Sequence, residues 1–512
     1  MRAVGVPKLV ARLARQVLTA PVVALVNCSS VPTVYRRRQP EETDLHKAVA
    51  QNLAPFIEGY DEHFLASQGP LTRTQKKALE GFVSCGLLSQ GFARALCSSC
   101  GAGMLVAFSC QLRGVCPSCQ QKRAELLCRF VSEELIEPAP HRQLVFVMPR
   151  RLRQNFHQDP ELLRGLCRAA VDATTAFYRA LLGRDDVKVG MTVVPQSFGD
   201  RGNAHLHLHA LVTDGAFAPD GTFYGMPFDG AGDSEVLTKL FAKNVLDLCI
   251  AHQRMSVRHR DEMLTWQHTG FSVDGSVKIA AGDRAGLLRL VRYIARPAVS
   301  FERVGYDAST GKVTVRSAKK RGGVRPVVAT YHVLTFLALL VLHVPPARMH
   351  MVRYFGWYAS RSRALRKACS DSAAAEVGQG GQAPEGLCTA PTPAAKERRL
   401  RWAQLVKLVF EVDPLQCDRC GGQMKLVAFI TPSQPTVIER ILTHLGLQTD
   451  DPTRRQTGPP LWLQIAQAQS YLEEHPTLSP DWDGSQDELE DDAIDPRDSF
   501  GDDAYHDQRQ QS

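Results

Sequence analysis

Apolar and polar positions change period several times along this chain, and each change marks an element. Thr43 or Asp44 can cap a helix whose apolar side chains recur at Leu45, Val49, Leu53 and Phe56. Residues 122–135 read as a second helix. From His141 the pattern shortens to β-branched runs at 144–147, 187–194 and 205–212, interleaved with helical stretches at 162–182 and 236–252. Residues 199–203 fit a hairpin turn between the last two runs. Residues 284–296 put Leu287, Leu290, Val291 and Ile294 on one helical stripe, and Pro297 ends that helix. The longest apolar run, Val333–Leu342, stops before His343 and Pro345 and falls short of the roughly 18–20 residues a membrane span requires. Beyond an Ala-, Gly-, Pro- and Ser-rich linker at 370–395, helices are expected around Trp402 and Leu405 and at 436–445. The predicted class is α+β with a mainly helical C-terminal region.

Composition narrows the class without deciding it. With 44% hydrophobic and 22% charged residues over 512 positions, the chain is an ordinary globular protein of several domains. The net charge of +8 conceals an asymmetry: residues 481–512 hold 12 acidic residues against two arginines, which leaves the remainder at +18. Such a basic body suits a polyanionic partner, although a solubilising charge excess accounts for it equally well. The acidic tail is too poor in apolar residues to fold alone. At the other end, the basic stretch 1–16 and the apolar run 17–26 loosely imitate a secretory signal, but Pro21 interrupts the run and a basic arm fits better. The expected division is an arm at 1–34, a zinc-binding domain at 35–135, a catalytic domain at 136–368, a linker at 369–395, a helical region at 396–475 and the tail at 476–512.

Six of the 14 cysteines lie in three C-x2-C pairs, a spacing that suits metal binding in a reducing compartment better than disulfides. Cys97 and Cys100 precede Cys116 and Cys119 by a spacing typical of a four-thiolate zinc site. Cys85 and Cys110 either build a second site or are buried thiols. Cys417 and Cys420 supply only half a tetrahedron; their partners are His444 or His475, or the pair is a bare thiol knuckle. A closed zinc site is structural, so the chemistry must lie elsewhere.

Two further patterns carry that chemistry. In residues 204–212 histidines alternate with apolar residues, so a strand would put His205, His207 and His209 on one face and Leu206, Leu208 and Ala210 on the other. Imidazoles two residues apart can share one divalent ion and leave positions open for a phosphate oxygen. On the helix at 284–296, Arg289, Tyr293 and Arg296 fall at i, i+4 and i+7, which sets a phenol between guanidiniums able to hold a phosphodiester. Arg292, beside the tyrosine, is a further candidate for the DNA backbone.

Together, His207-Leu208-His209, Arg292-Tyr293-Ile294-Ala295-Arg296-Pro297 and the cysteine block resemble the insertion sequence ninety-one family of rolling-circle transposases. Pro345-Pro346-Ala347-Arg348-Met349-His350, Arg353-Tyr354 and Asp413-Pro414-Leu415 extend the likeness over roughly 35–447. The resemblance implies an N-terminal zinc-binding domain and a transposase domain similar to histidine-hydrophobe-histidine endonucleases, an antiparallel sheet backed by helices. It implies that His207 and His209 hold a catalytic Mg or Mn ion, with His205 or Gln196 as a third ligand, and that Tyr293 is the nucleophile. Arg289 stands where two-tyrosine members have a second tyrosine, so the chain resembles the single-tyrosine branch. The implied partners are single-stranded element ends, target DNA and a host helicase, and the implied location is the bacterial cytoplasm, with no membrane. A rival reading is a zinc-dependent DNA-binding regulator with a degenerate catalytic domain, in which Tyr293 is dispensable; another is a zinc hydrolase of small substrates.

Overall fold

The computed structural model describes residues 39–226, 231–266, 268–317, 327–366, 416–417 and 419–447. The arm, the linker, the expected helix at Trp402, His475 and the acidic tail lie outside these residues. Chain entry is by α1 (Asp44–His63), and the cap is Thr43, whose side chain accepts from the His46 amide. Then come α2 (Arg73–Val83), the hairpin β1 (Phe92–Cys97) and β2 (Gly103–Ala107), and α3 (Pro117–Phe130).

The central sheet is antiparallel throughout, in the order β11-β4-β5-β3-β6, with β7 also paired to β3. Its strands are β3 (His141–Val147), β4 (Gly190–Phe198), β5 (Ala204–Thr213), β6 (Ser272–Asp274), β7 (Lys278–Ile279) and β11 (Arg353–Gly356). Pro195 sits inside β4 without breaking the ladder, because β11 pairs only with Gly190 to Val193 and leaves that flank of Pro195 open. One face of the sheet carries Leu144, Phe146, Val193, Leu206, Leu208 and Ala210 into a core with α5 (Pro160–Leu182) and α6 (Ala231–Ala251). Helix α5 is set at its start by Asp159, which accepts from the Glu161 and Leu162 amides, and ends at Gly183 in the left-handed conformation. The opposite face carries Val194 and Leu211 against α3 and α7 (Arg284–Ile294), whose Leu287, Leu290, Val291 and Ile294 form the stripe expected from sequence. Helices therefore back both sides of the sheet.

A second core joins α1 and α2 to β8 (Val304–Asp307), β9 (Lys312–Arg316), β10 (Val328–His332) and α8 (Val333–Leu342). The long apolar run is thus a buried helix, and residues counted with the catalytic domain complete the hydrophobic interior of the N-terminal one. Gly114 makes a contact between them: with φ +94°, it lies where a Cβ would come 2.6 Å from the His343 carbonyl oxygen.

The C-terminal segment departs from a helical region. Helix α9 (Pro435–His444) occupies nearly the expected residues, but β12 (Met424–Ile430) precedes it and adds to the edge of β1 in the sheet β12-β1-β2. Alternation over seven residues is weak as a sequence signal when half of one face stays exposed, as Val427 and Phe429 do.

Candidate active site and cysteine clusters

Strand β5 presents His207 and His209, both fully buried, on the face covered by α7. Their Nε2 atoms stand 3.1 Å apart. His207 Nδ1 lies 2.9 Å from the His205 carbonyl oxygen, which can only accept, so Nδ1 carries the proton and Nε2 offers its lone pair. Burial pushes the His207 imidazolium down to about 4, against the smaller raising effect of the His205 carbonyl, and burial together with His207 holds His209 well below its ordinary value. Both rings are consequently neutral at pH 7, the form that binds a cation.

Gln143 on β3 places its amide nitrogen 2.9 Å from His209 Nδ1 while its buried oxygen has no partner. Turning that amide over lets its oxygen accept from Nδ1–H of His209 and frees His209 Nε2 for a ligand. Gln196, the cross-strand partner of His207, is likewise buried; its nitrogen donates to the Ile294 carbonyl at 2.7 Å, and its oxygen is unpartnered. Two imidazole lone pairs and an orphaned amide oxygen on one face are a donor set suited to Mn or Mg. A register shift in β4 between Gln196 and Phe198 lies beside this group. His205 continues the row, with its ring 5.1 Å from that of His207. Arg153 donates to its Nδ1 at 2.8 Å, however, and burial, Arg153 and His207 push it down to about 2. Its Nδ1 is thus already engaged.

Helix α7 brings Tyr293 against this face. The rings of His209 and Tyr293 lie edge to face with centroids 5.5 Å apart. Two glutamines fix the helix end: Gln196 donates to the Ile294 carbonyl, and Gln120 on α3 donates to the Ala295 carbonyl at 3.0 Å. The Arg296 guanidinium lies 4.6 Å from the centre of the Tyr293 ring and 4.0 Å from Asp200. Its Nε is buried with no hydrogen-bond partner. Arg289 is exposed on the same helix. The Arg292 guanidinium grips both oxygens of Glu125 at 2.8 and 3.1 Å and ties α7 to α3. Gln143 and Arg153 escaped sequence reasoning. The signal for Gln143 was a polar pair at alternate positions of an otherwise apolar strand, His141 and Gln143.

The cysteines group differently from their spacing. Cys116 and Cys119, at the start of α3, meet Cys85 and Cys110; Cys97 and Cys100, at the end of β1, meet Cys417 and Cys420. The two knuckles read as one site are separated by the β1–β2 hairpin, which carries the first away to the edge strand β12. Cys85 and Cys110 are therefore partners of the second knuckle, and the C-terminal pair meets thiols rather than His444. In the first group the sulfurs of Cys85 and Cys119 are 3.7 Å apart and those of Cys110 and Cys119 3.4 Å. Four converging thiols fit a structural zinc ion.

Comparison with known proteins gives a consistent picture. A family model described as "Transposase zinc-binding domain" matches residues 56–148, and one described as "Putative transposase" matches 190–366. The chain is 26% identical over 397 residues to "Putative transposase y4qJ" of Sinorhizobium fredii, spanning 73% of this chain and 94% of that one. It is 24% identical over 385 residues to "Transposase for insertion sequence element IS801" of Pseudomonas savastanoi pv. phaseolicola, spanning 72% of this chain and 87% of the other. No solved structure matches. Two domain models in the right order, and relatives aligned over nearly their whole length, place this chain in the insertion sequence ninety-one family of transposases.

Proposed function

We propose that this transposase cuts and rejoins single-stranded DNA through Tyr293. The observation that carries the reading is the edge contact of the Tyr293 ring with His209, beside two buried neutral imidazoles and the unpartnered oxygen of Gln196. The phenolic oxygen attacks phosphorus, the bond to the 3'-oxygen breaks, and the phenolic proton is passed on as that oxygen becomes a free 3'-hydroxyl. The product is a 5'-phosphotyrosyl enzyme. His207, His209 and Gln196 would hold a Mg or Mn ion, which supplies Lewis-acid polarisation of the phosphate when bound.

The chain's own residues do the remaining work. Gln196 and Gln120 hold the end of α7 so that the phenol stays over the histidines. Arg289, exposed one turn before Tyr293, would pair with the DNA backbone, and Arg296 lies over the tyrosine ring. The ester linkage conserves the energy of the broken bond, so a 3'-hydroxyl at the target can reverse the step without a nucleotide triphosphate. No Walker-type G-x4-G-K-[ST] sequence is present. Strand separation then falls to a host helicase; unaided strand displacement by the purified protein would contradict this.

The test is to incubate the protein with labelled single-stranded oligonucleotides of element-end sequence and Mn, and to look for a covalent adduct on denaturing gels. Tyr293→Phe and His207→Ala should form none. An adduct that persists in Tyr293→Phe removes the proposal, and mobility shifts without an adduct favour a DNA-binding regulator.

A further inference from the structure

Two segments more than 300 residues apart have folded into the same turn. In Cys97-Ser98-Ser99-Cys100-Gly101, the Gly101 amide donates to the Cys97 carbonyl at 3.1 Å, and the Cys97 amide donates to Ala102 at 2.8 Å. At the second C-x2-C pair, the Gly421 amide donates to the Cys417 carbonyl at 2.9 Å, and the Cys417 amide donates to the Gly422 carbonyl at 2.8 Å. The closing glycines have φ +71° and +69°, and a Cβ on either would touch nothing within 4 Å. Glycine is therefore needed for the left-handed backbone and not for space. That turn aims two sulfurs in one direction.

The two turns face each other. Cys97 Sγ is 3.5 Å from Cys420 Sγ, and Cys100 Sγ is 3.6 Å from Cys417 Sγ, with all four sulfurs within 4.8 Å of one another. Sulfurs at the corners of a tetrahedron about 2.3 Å from a central zinc stand roughly 3.8 Å apart, close to these separations.

We infer that Cys97, Cys100, Cys417 and Cys420 bind a second zinc ion, and that this ion clasps the 416–447 segment onto the N-terminal domain as a zinc ribbon divided between distant parts of the chain. The matching zinc-binding model ends at residue 148 and contains only half of these ligands. The site does not depend on the nicking chemistry. Each half offers two thiolates, so metal occupancy and docking of the segment are linked: neither is complete without the other. Besides the ion, the segment is held by the β12–β1 pairing from Phe92↔Ile430 to Cys97↔Met424 and a small core of Leu88, Phe92, Ile430, Ile438 and Leu442. Cys100 and Cys420 are exposed, whereas Cys85, Cys116 and Cys119 of the other group are buried. A chelator therefore reaches the clasp first and releases the C-terminal segment while the inner ion stays.

The experiment uses the full chain under reducing conditions, with zinc measured by elemental analysis and backbone protection by hydrogen exchange. Wild type should hold two zinc ions per chain, and Cys417→Ser/Cys420→Ser one. The same variant should lose protection at 424–430 while α3 stays protected. Cys97→Ser/Cys100→Ser should expose the same distant residues, which separates clasp release from local damage. A metal chromogenic chelator should withdraw one equivalent quickly and the second slowly. One zinc in wild type, two in Cys417→Ser/Cys420→Ser, or unchanged protection at 424–430 after zinc loss would each overturn the inference.

Discussion

Lowering the pH from 7.5 to 5 should destabilise this protein through buried histidines that belong to neither the histidine row of β5 nor the cysteine clusters. His141, His332 and His343 are 2, 3 and 7% exposed, and burial pushes each from 6.5 to about 4. Each also serves as an acceptor only while neutral: His141 from the Tyr358 hydroxyl at 2.6 Å, His332 from the Leu334 amide at 3.3 Å, and His343 from Ser197 at 3.1 Å. Because the folded values are lowered, the unfolded chain binds more protons between pH 6.5 and about 4. Stability is complete above that window and is lost as pH falls through it. At pH 5 the loss is about 2 kcal/mol per histidine, or about 6 for three independent groups, comparable to the whole stability of many domains. Thermal unfolding followed by circular dichroism at pH 7.5, 6 and 5 measures it. His332→Asn keeps a side-chain acceptor at the start of α8 without titrating, so it should reduce the loss at pH 5 by its own share of about 2 kcal/mol. A melting temperature unchanged down to pH 5 would refute the reasoning, as would a His332→Asn profile identical to wild type.

Gln143→Ala should weaken Mn binding roughly 10- to 100-fold by isothermal titration while the fold persists, because it removes the hydrogen bond that orients His209; unchanged affinity would count against Mn at this face. Leu290→Ala, at a position 1% exposed on the buried face of α7, should cost about 2–5 kcal/mol in chemical denaturation. Arg289→Ala should reduce the salt slope of single-stranded DNA binding by about 0.7, the effect of one lost phosphate contact. Arg292→Ala should leave that slope alone and cost under about 1 kcal/mol of stability, since the pair with Glu125 is partly solvated.

How much of this was legible in sequence depended on whether the signal was local. The histidine strand and α7 were readable because period two and period 3.6 are properties of consecutive residues. The sequence also carried the C-x2-C pairs, but not which pair meets which. Spacing favours the nearer knuckle, Cys116 and Cys119, yet strand register brings Cys417 and Cys420 beside Cys97 and Cys100. Arg292 illustrates the same limit: nothing near it in sequence announces Glu125 on α3. Short strands such as Ser272–Asp274 and Arg353–Gly356 carry too few residues for a period to emerge.

On the proposed mechanism, the organisation of the site would make a bound metal and the nucleophile parts of one device. Gln196 uses its nitrogen to hold the carbonyl of Ile294, and so the end of the helix that bears Tyr293, while its oxygen points to no partner across from His207. An amide is rigid and planar, so an ion drawing on that oxygen also fixes the direction of the nitrogen. Position of the phenol and metal occupancy of the histidine pair would thereby be coupled through a single side chain. The half-buried guanidinium of Arg296, with Asp200 at 4.0 Å and the Tyr293 ring at 4.6 Å, ties the same helix end to the β4–β5 turn. With one tyrosine on α7 and Arg289 one turn earlier, the proposed mechanism would have successive strand exchanges move the DNA past a fixed phenol, not swing a second phenol of the same helix into place.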